Sequence, residues 1–138
     1  MNKALNLLGL ARKGGNIQLG EENCGIACRS GKARLLILTK DAGDSVRHRA
    51  EFFVRSGKPP LLRVEYTKDE LGTAVGRNVC PIAAITDVRL ALAFLNAMDP
   101  DPTHFSDIRA TLDRGAKRVE KRRQEEKAHE RNVRFGKK

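Results

Sequence analysis

The stretch Gly20-Glu21-Glu22-Asn23-Cys24-Gly25-Ile26-Ala27-Cys28-Arg29-Ser30-Gly31-Lys32-Ala33-Arg34-Leu35-Leu36-Ile37-Leu38 holds the pattern from which the rest of the chain is read. A glycine opens it, two glutamates follow, and Cys24, Ala27 and Cys28 recur at helical spacing. Gly31 suits the left-handed residue that follows a helix. Leu35 to Leu38 are then apolar without alternation, as in a strand buried on both faces. A helix that begins on glycine presents bare backbone N–H groups, and such groups favour an anion. On a chain of formal net charge +10, the expected anion is a nucleic-acid phosphate. An acidic first turn also complements the helix dipole with no ligand present, so Glu21 and Glu22 admit both readings.

Upstream of this stretch, residues 2–13 predict a helix with Ala4, Leu5, Leu8 and Ala11 on one face, stopped by Gly14-Gly15. Residues 16–19 alternate as a short edge strand does. Asp44-Ser45 can cap a third helix carrying Val46, Ala50 and Phe53 inward, and Pro59-Pro60 forces an extended entry into Leu61-Leu62-Arg63-Val64. Thr67 and Glu70 form a capping-box pattern for a short helix ending at Gly76. Residues 81–85 predict a second buried strand, and Asp87 a cap for a helix with Leu90, Phe94 and Leu95 facing the sheet. This alternation predicts an α/β protein: a three-layer α/β/α sandwich with one mixed four-stranded sheet, over residues 1–99.

Asp99-Pro100-Asp101-Pro102 marks a boundary, beyond which residues 100–138 form a basic C-terminal helical extension. Phe105, Ile108, Leu112, Gly115 and Val119 keep a weak seam interrupted by its glycine, so residues 103–119 are expected to dock or pair as a helix. Residues 120–138 are expected to be a frayed basic tail. Residues 1–99 hold 15 Lys/Arg against 10 Asp/Glu, and residues 100–138 hold 12 against 7, a net +5 from each. A sequence pI near 10.0 indicates polyanion partners. Six aromatic residues and no Trp argue against a platform that stacks unpaired bases, and favour a folded RNA or a duplex.

Three cysteines, with no secretory signal, predict reduced thiols in the cytoplasm. No segment approaches the roughly 18–20 apolar residues of a membrane span. Cys24 and Cys28 lie one helical turn apart, but His48, His104 and His129 show no paired ligand spacing, so neither a metal nor any other cofactor is expected. Cys80, beside Pro81, has no evident base partner, and there is no dinucleotide fingerprint or P-loop. No catalytic residue is assigned, and the chain is read as non-enzymatic.

Several pieces in order carry a family resemblance over positions 4–95. They are Leu8-Gly9-Leu10-Ala11-Arg12-Lys13-Gly14-Gly15, Gly20-Glu21-Glu22, Arg29-Ser30-Gly31-Lys32-Ala33-Arg34-Leu35 and Thr39-Lys40-Asp41-Ala42. Thr67-Lys68-Asp69-Glu70-Leu71-Gly72-Thr73-Ala74-Val75-Gly76 and Ile85-Thr86-Asp87 complete the set. With these the chain resembles the kink-turn-binding ribosomal protein superfamily, and in particular its small bacterial YlxQ-like branch. The resemblance implies RNA bound along one edge, made by the start of the second helix, the turn after the first buried strand and the loop after Gly76. At the positions where kink-turn binders carry Asn, Glu and Lys after that glycine, this chain has Glu22, Asn23 and Ile26.

The expected RNA contacts are Gly20, Glu21, Glu22 and Asn23 at the helix start, with Lys13, Lys32, Lys40 and Arg77 on phosphates. Arg12 and Arg34 are expected to join them, all brought to one edge by the fold. Val79 either packs on an extruded nucleotide or covers the core rim. The expected partner is structured RNA, ribosomal RNA first among them, with the ribosome or another protein as further partners and no membrane. A protein-interaction module of the same fold that has lost kink-turn recognition is the alternative, with Ile26 as its contact.

Overall fold

The computed structural model describes residues 2–57 and 59–134. The elements in chain order are α1 (Lys3–Lys13), β1 (Ile17–Leu19), α2 (Glu21–Arg29), β2 (Leu35–Leu38) and α3 (Asp44–Gly57). They continue with β3 (Leu61–Arg63), α4 (Lys68–Val75), β4 (Ile82–Ile85), α5 (Val88–Met98) and α6 (Ser106–Arg134). The four strands form one mixed sheet in the order β1-β4-β2-β3. β4 runs antiparallel to both β1 and β2, while β2 and β3 are parallel.

The sheet separates two cores, and strand alternation assigns each residue to one of them. Leu35, Ile37, Ala83 and Ile85 join Ile17 and Leu19 beneath α1, α4 and α5. Leu36, Leu38, Ile82 and Ala84 face Cys24, Ala27, Cys28, Ala50 and Phe53 of α2 and α3. Every residue of β2 and β4 is buried, which accounts for the absence of alternation in their sequences. The α/β/α sandwich is therefore the observed architecture.

Local signals act where the sequence places them. Asn2, expected as the first residue of the helix, instead caps α1 by accepting from the Leu5 N–H at 3.1 Å. Thr67 and Glu70 make the reciprocal capping box of α4, and Asp87 accepts from Arg89 and Leu90 at the start of α5. Asp44 departs from expectation: it is the first residue of α3 rather than its cap. The Gly43 carbonyl already accepts from the Arg47 N–H at 2.9 Å, and the Asp44 carboxylate pairs with Arg47 at 3.1 Å.

The C-terminal extension differs more. α6 begins at Ser106 and continues as one helix to Arg134, so the frayed tail expected from residue 120 is helical as far as the structure is described. Residues 135–138 lie outside the described residues. Past Gly115 the helix contains no Gly or Pro, and pairs such as Lys121/Glu125 and Arg122/Glu126 sit four apart, a spacing that supports an exposed helix. Gly115 is not a defect in the seam. A Cβ there would stand 3.1 Å from Val88 Cγ2, so glycine lets α6 lie close against α5. Leu112 is fully buried in the first core, with Ile108, Ala116 and Val119 packed around it.

Arg109 fastens the start of α6. It is buried, and its guanidinium donates to the His104 carbonyl at 2.7 Å and also to Asn96 Oδ1 and the Asp99 carbonyl. These bonds tie the end of α5, the turn and α6 together. Hydrogen bonds from a buried charge contribute roughly 1.5–3 kcal/mol. Arg109→Ala is expected to lower the unfolding free energy by about that amount in urea titrations and to speed amide exchange in the first turns of α6, leaving β2 and β4 protected.

Candidate nucleic-acid interface

The start of β4 gathers three chain segments. The Pro81 carbonyl accepts from the Thr39 N–H at 3.0 Å and from the Thr39 hydroxyl at 3.3 Å. The next carbonyl, of Ile82, accepts from the Gly20 N–H at 3.3 Å. Successive carbonyls of a strand point to opposite sides, so Thr39-Lys40 and Gly20 flank β4 from left and right. The loop that delivers β4 contains Arg77 and Val79. A Cβ added at Gly20 would lie 3.6 Å from Arg77 Nη1, which makes the two residues direct neighbours. Gly20, Lys40 and Arg77 therefore stand on one rim, at the end of the sheet where β1 and β2 finish.

Gly20 adopts φ 89° and ψ 160°, a conformation an L-residue rarely takes. It supplies no capping side chain, so the first-turn amides of Glu21, Glu22 and Asn23 are left for an outside acceptor. The Asn23 side chain folds back, its Nδ2 donating to the Leu19 carbonyl at 3.1 Å, which leaves its oxygen outward. Glu21 is held by Arg49 of α3 at 3.4 Å. Glu22 is exposed. Val79 is 47% exposed, so it projects from the loop instead of sealing the core, and Ile26 is 50% exposed on α2.

Sequence reasoning missed two residues that hold the rim rigid. Asp41 Oδ1 accepts from the Lys68 N–H at 2.8 Å, so the turn carrying Lys40 also caps α4. Desolvation, the largest single influence, would raise the Asp41 carboxyl, but hydrogen bonds from the Lys68 amide, the Thr39 hydroxyl and its own amide together hold the group below the usual carboxylate range. In the middle of α4, Gly72 lies under the Arg77 loop. A Cβ there would come within 2.8 Å of the Asn78 carbonyl oxygen and 2.9 Å of that of Arg77. Neither role has a local signal, because each depends on which distant backbone arrives beside it.

The remaining basic residues do not share the rim. Arg12 Nη1 donates to the Val75 carbonyl at 2.9 Å, so this side chain closes the end of α4 instead of waiting for phosphate. Lys13 is exposed beside it, on a groove of about 770 Å³ between α1 and α4 that ends at Gly76. Lys13 thus flanks the rim from the α4 side. Lys32 and Arg34 lie at the other end of the sheet: β2 begins there, and the Arg34 N–H donates to the Ile85 carbonyl at 2.8 Å. α2 spans nine residues, about 13 Å at 1.5 Å per residue, and separates them from Gly20. The expectation that one edge collects all these cations is corrected on this point, because a helix and a strand intervene.

Burial pushes the thiols of Cys24, Cys28 and Cys80 upward, which keeps them protonated and unreactive. Among the described residues no group of three or more His, Cys, Asp or Glu side chains could hold a metal ion. Nor is any described helix long and apolar enough to cross a membrane.

No protein-family model matches the chain. The RNA-binding protein YlxQ of Bacillus subtilis is 28% identical over 93 residues, covering 67% of this chain and 92% of that protein. A Bacillus halodurans protein of unknown function superposes with a TM-score of 0.65 at 27% identity, over 72% of this chain and 99% of the other. The Giardia lamblia 15.5kD RNA binding protein shares the fold at a TM-score of 0.56 and 19% identity, over 70% of this chain and 84% of that one.

Two substitutions probe the rim's support. Gly72→Ala forces the Arg77–Asn78 backbone outward and is expected to cost roughly 1–3 kcal/mol of stability in chemical denaturation. Asp41→Ala is expected to destabilise the protein at neutral pH, with the deficit shrinking in acid. A carboxyl lowered on folding contributes fully above its unfolded pKa, near about 4, and loses that contribution as pH falls through the folded value. Thermal melts of both proteins between neutral and acidic pH measure the convergence.

Proposed function

We propose, from the similarity to the RNA-binding protein YlxQ and from the rim geometry, that this chain is a member of the kink-turn-binding ribosomal protein superfamily and a non-enzymatic RNA-binding protein. It docks on a bent, kink-turn-like element of structured RNA. Its place is on or beside the ribosome in the bacterial cytoplasm, with ribosomal RNA as the first candidate ligand. The observation that carries this reading is the pair of adjacent carbonyls at the entry to β4, of Pro81 and Ile82, that accept from Thr39 and Gly20 on either side, with Arg77 next to Gly20.

In this mechanism the open amides of Glu21, Glu22 and Asn23 approach the phosphate or base edges, and the lack of a Cβ at Gly20 lets them come close. Lys40 and Arg77 bind backbone phosphates, with Lys13 as an outlying contact on the α4 side. The Asn23 oxygen and Glu22 carboxylate accept from base donors, where a carboxylate matches guanine N–H groups and does not confront phosphate. Val79 gives an extruded nucleotide an apolar surface. Lys40 and Arg77 engage phosphates that only a bent backbone brings to the rim, so they confer salt dependence and preference for the bend, while Glu22, Asn23 and Val79 add base selection. Lys32 takes no part at this rim.

Binding measured with a kink-turn RNA and a straight duplex over a salt series tests the reading. The protein is expected to prefer the kink-turn, and Lys40→Gln/Arg77→Gln to lose that preference and to flatten the log–log salt slope by about 1–2. Equal affinity for both RNAs at every salt concentration overturns specific docking.

The half-exposed Ile26 favours a second reading, in which α2 presents an apolar contact to a protein partner. Ile26→Lys separates the two. Stronger kink-turn binding identifies a weakened RNA binder; lost partner co-purification with unchanged RNA binding identifies an interaction module.

A further inference from the structure

A second cluster of cations lies away from the rim. Arg34, at the start of β2, meets α6: Arg34, Arg118 and Arg122 line a recess of about 40 Å³ together with Gly115 and Val119. The close approach at Gly115 creates it, because α6 packed against Val88 brings Arg118 and Arg122 over the beginning of the sheet. None of these three guanidinium groups forms an ion pair with another described residue. The neighbouring carboxylate, Glu120, is taken by Arg89 of α5. No carboxylate lines this recess, although Arg122 also borders the neighbouring face that carries Glu125 and Glu126, so three like charges meet here in an arrangement that an outside anion relieves.

The recess has room for a few waters or one compact anionic group. Guanidinium forks match phosphate oxygens in bidentate geometry. Past Val119, residues 120–131 of α6 are all exposed, so a polyanion can continue along the helix. The exposed large apolar side chains of the described residues are Leu10, Ile26, Phe52, Val79 and Phe105, and none lies within residues 106–131 of α6. A protein partner would need an apolar anchor that this face does not offer, whereas a nucleic-acid backbone needs none.

We propose that Arg34, Arg118 and Arg122 form a second phosphate site, which takes the backbone of an RNA duplex at the end of the sheet opposite the Gly20 rim. The inference rests on the proposed RNA function for the identity of the polyanion. With both sites occupied, the protein joins a bent RNA element at one end to a helical segment at the other.

The full-length chain is titrated against an RNA duplex of about 20 base pairs and against the same duplex interrupted by a kink-turn, between about 50 and 200 mM salt. Arg34→Gln/Arg118→Gln/Arg122→Gln, checked for folding by circular dichroism, is expected to bind the plain duplex about tenfold or more weakly at the low-salt end. Its log–log salt slope should be shallower by about 2–3, at roughly 0.9 per phosphate released. Lys40→Gln/Arg77→Gln is expected to keep wild-type affinity for the plain duplex and to lose only the preference for the kink. A triple variant with wild-type affinity and slope on both RNAs overturns the second site and leaves the rim standing. A Lys40→Gln/Arg77→Gln protein that still prefers the kink-turn overturns the rim while the second site stands. Failure of the wild type to bind either RNA, or equal competition by poly-glutamate, overturns the second site as an RNA site.

Discussion

β4 is hydrogen-bonded on both sides and buried on both faces, and the rest of the architecture depends on its register. Ile82 and Ala84 serve one core while Ala83 and Ile85 serve the other, so a slip of one residue would turn every side chain of the strand to the wrong side. That register also fixes which carbonyls reach Thr39 and Gly20. Packing energy from the interior is thereby converted into the position of surface groups that contribute nothing to the core. The rim is as rigid as the strand beneath it.

The fold uses its polar contacts for two purposes. Asp41, Arg12 and Arg109 are engaged in holding chain segments: the first caps α4, the second closes it, the third anchors α6. Lys40, Arg77, Arg34, Arg118 and Arg122 extend from those fixed segments, and no ion pair within the described residues neutralises them. Charged groups of the first kind are hard to replace without structural loss. Those of the second kind supply a salt-screened field whose value lies in what binds from outside.

A sheet with helices on both faces has two ends, and this chain places charge at each. α2 runs from the rim to the far end, and α6, resting on α5, supplies two of the three arginines that line the far-end recess. About a third of the chain lies outside the match to the Bacillus subtilis relative, so similarity to that protein does not account for the whole surface. The far-end cluster depends on two segments distant in sequence, Arg34 and the middle of α6, and neither is notable alone.

Helix starts, strand burial and the layered architecture could be read from residue order because each depends on neighbours a few positions away. Thr67, Glu70 and Asp87 act on amides in their own first turns, and uninterrupted apolar runs mark the two central strands. The grouping of Gly20, Lys40 and Arg77 followed from family resemblance, not from periodicity. Tertiary structure alone separated Lys32 and Arg34 from that group, engaged Arg12 with Val75, and gave Asp41 and Gly72 their supporting roles. The reason is physical: a side chain's partner across the fold is set by strand pairing and close packing between distant segments. Local propensity contains no term for either.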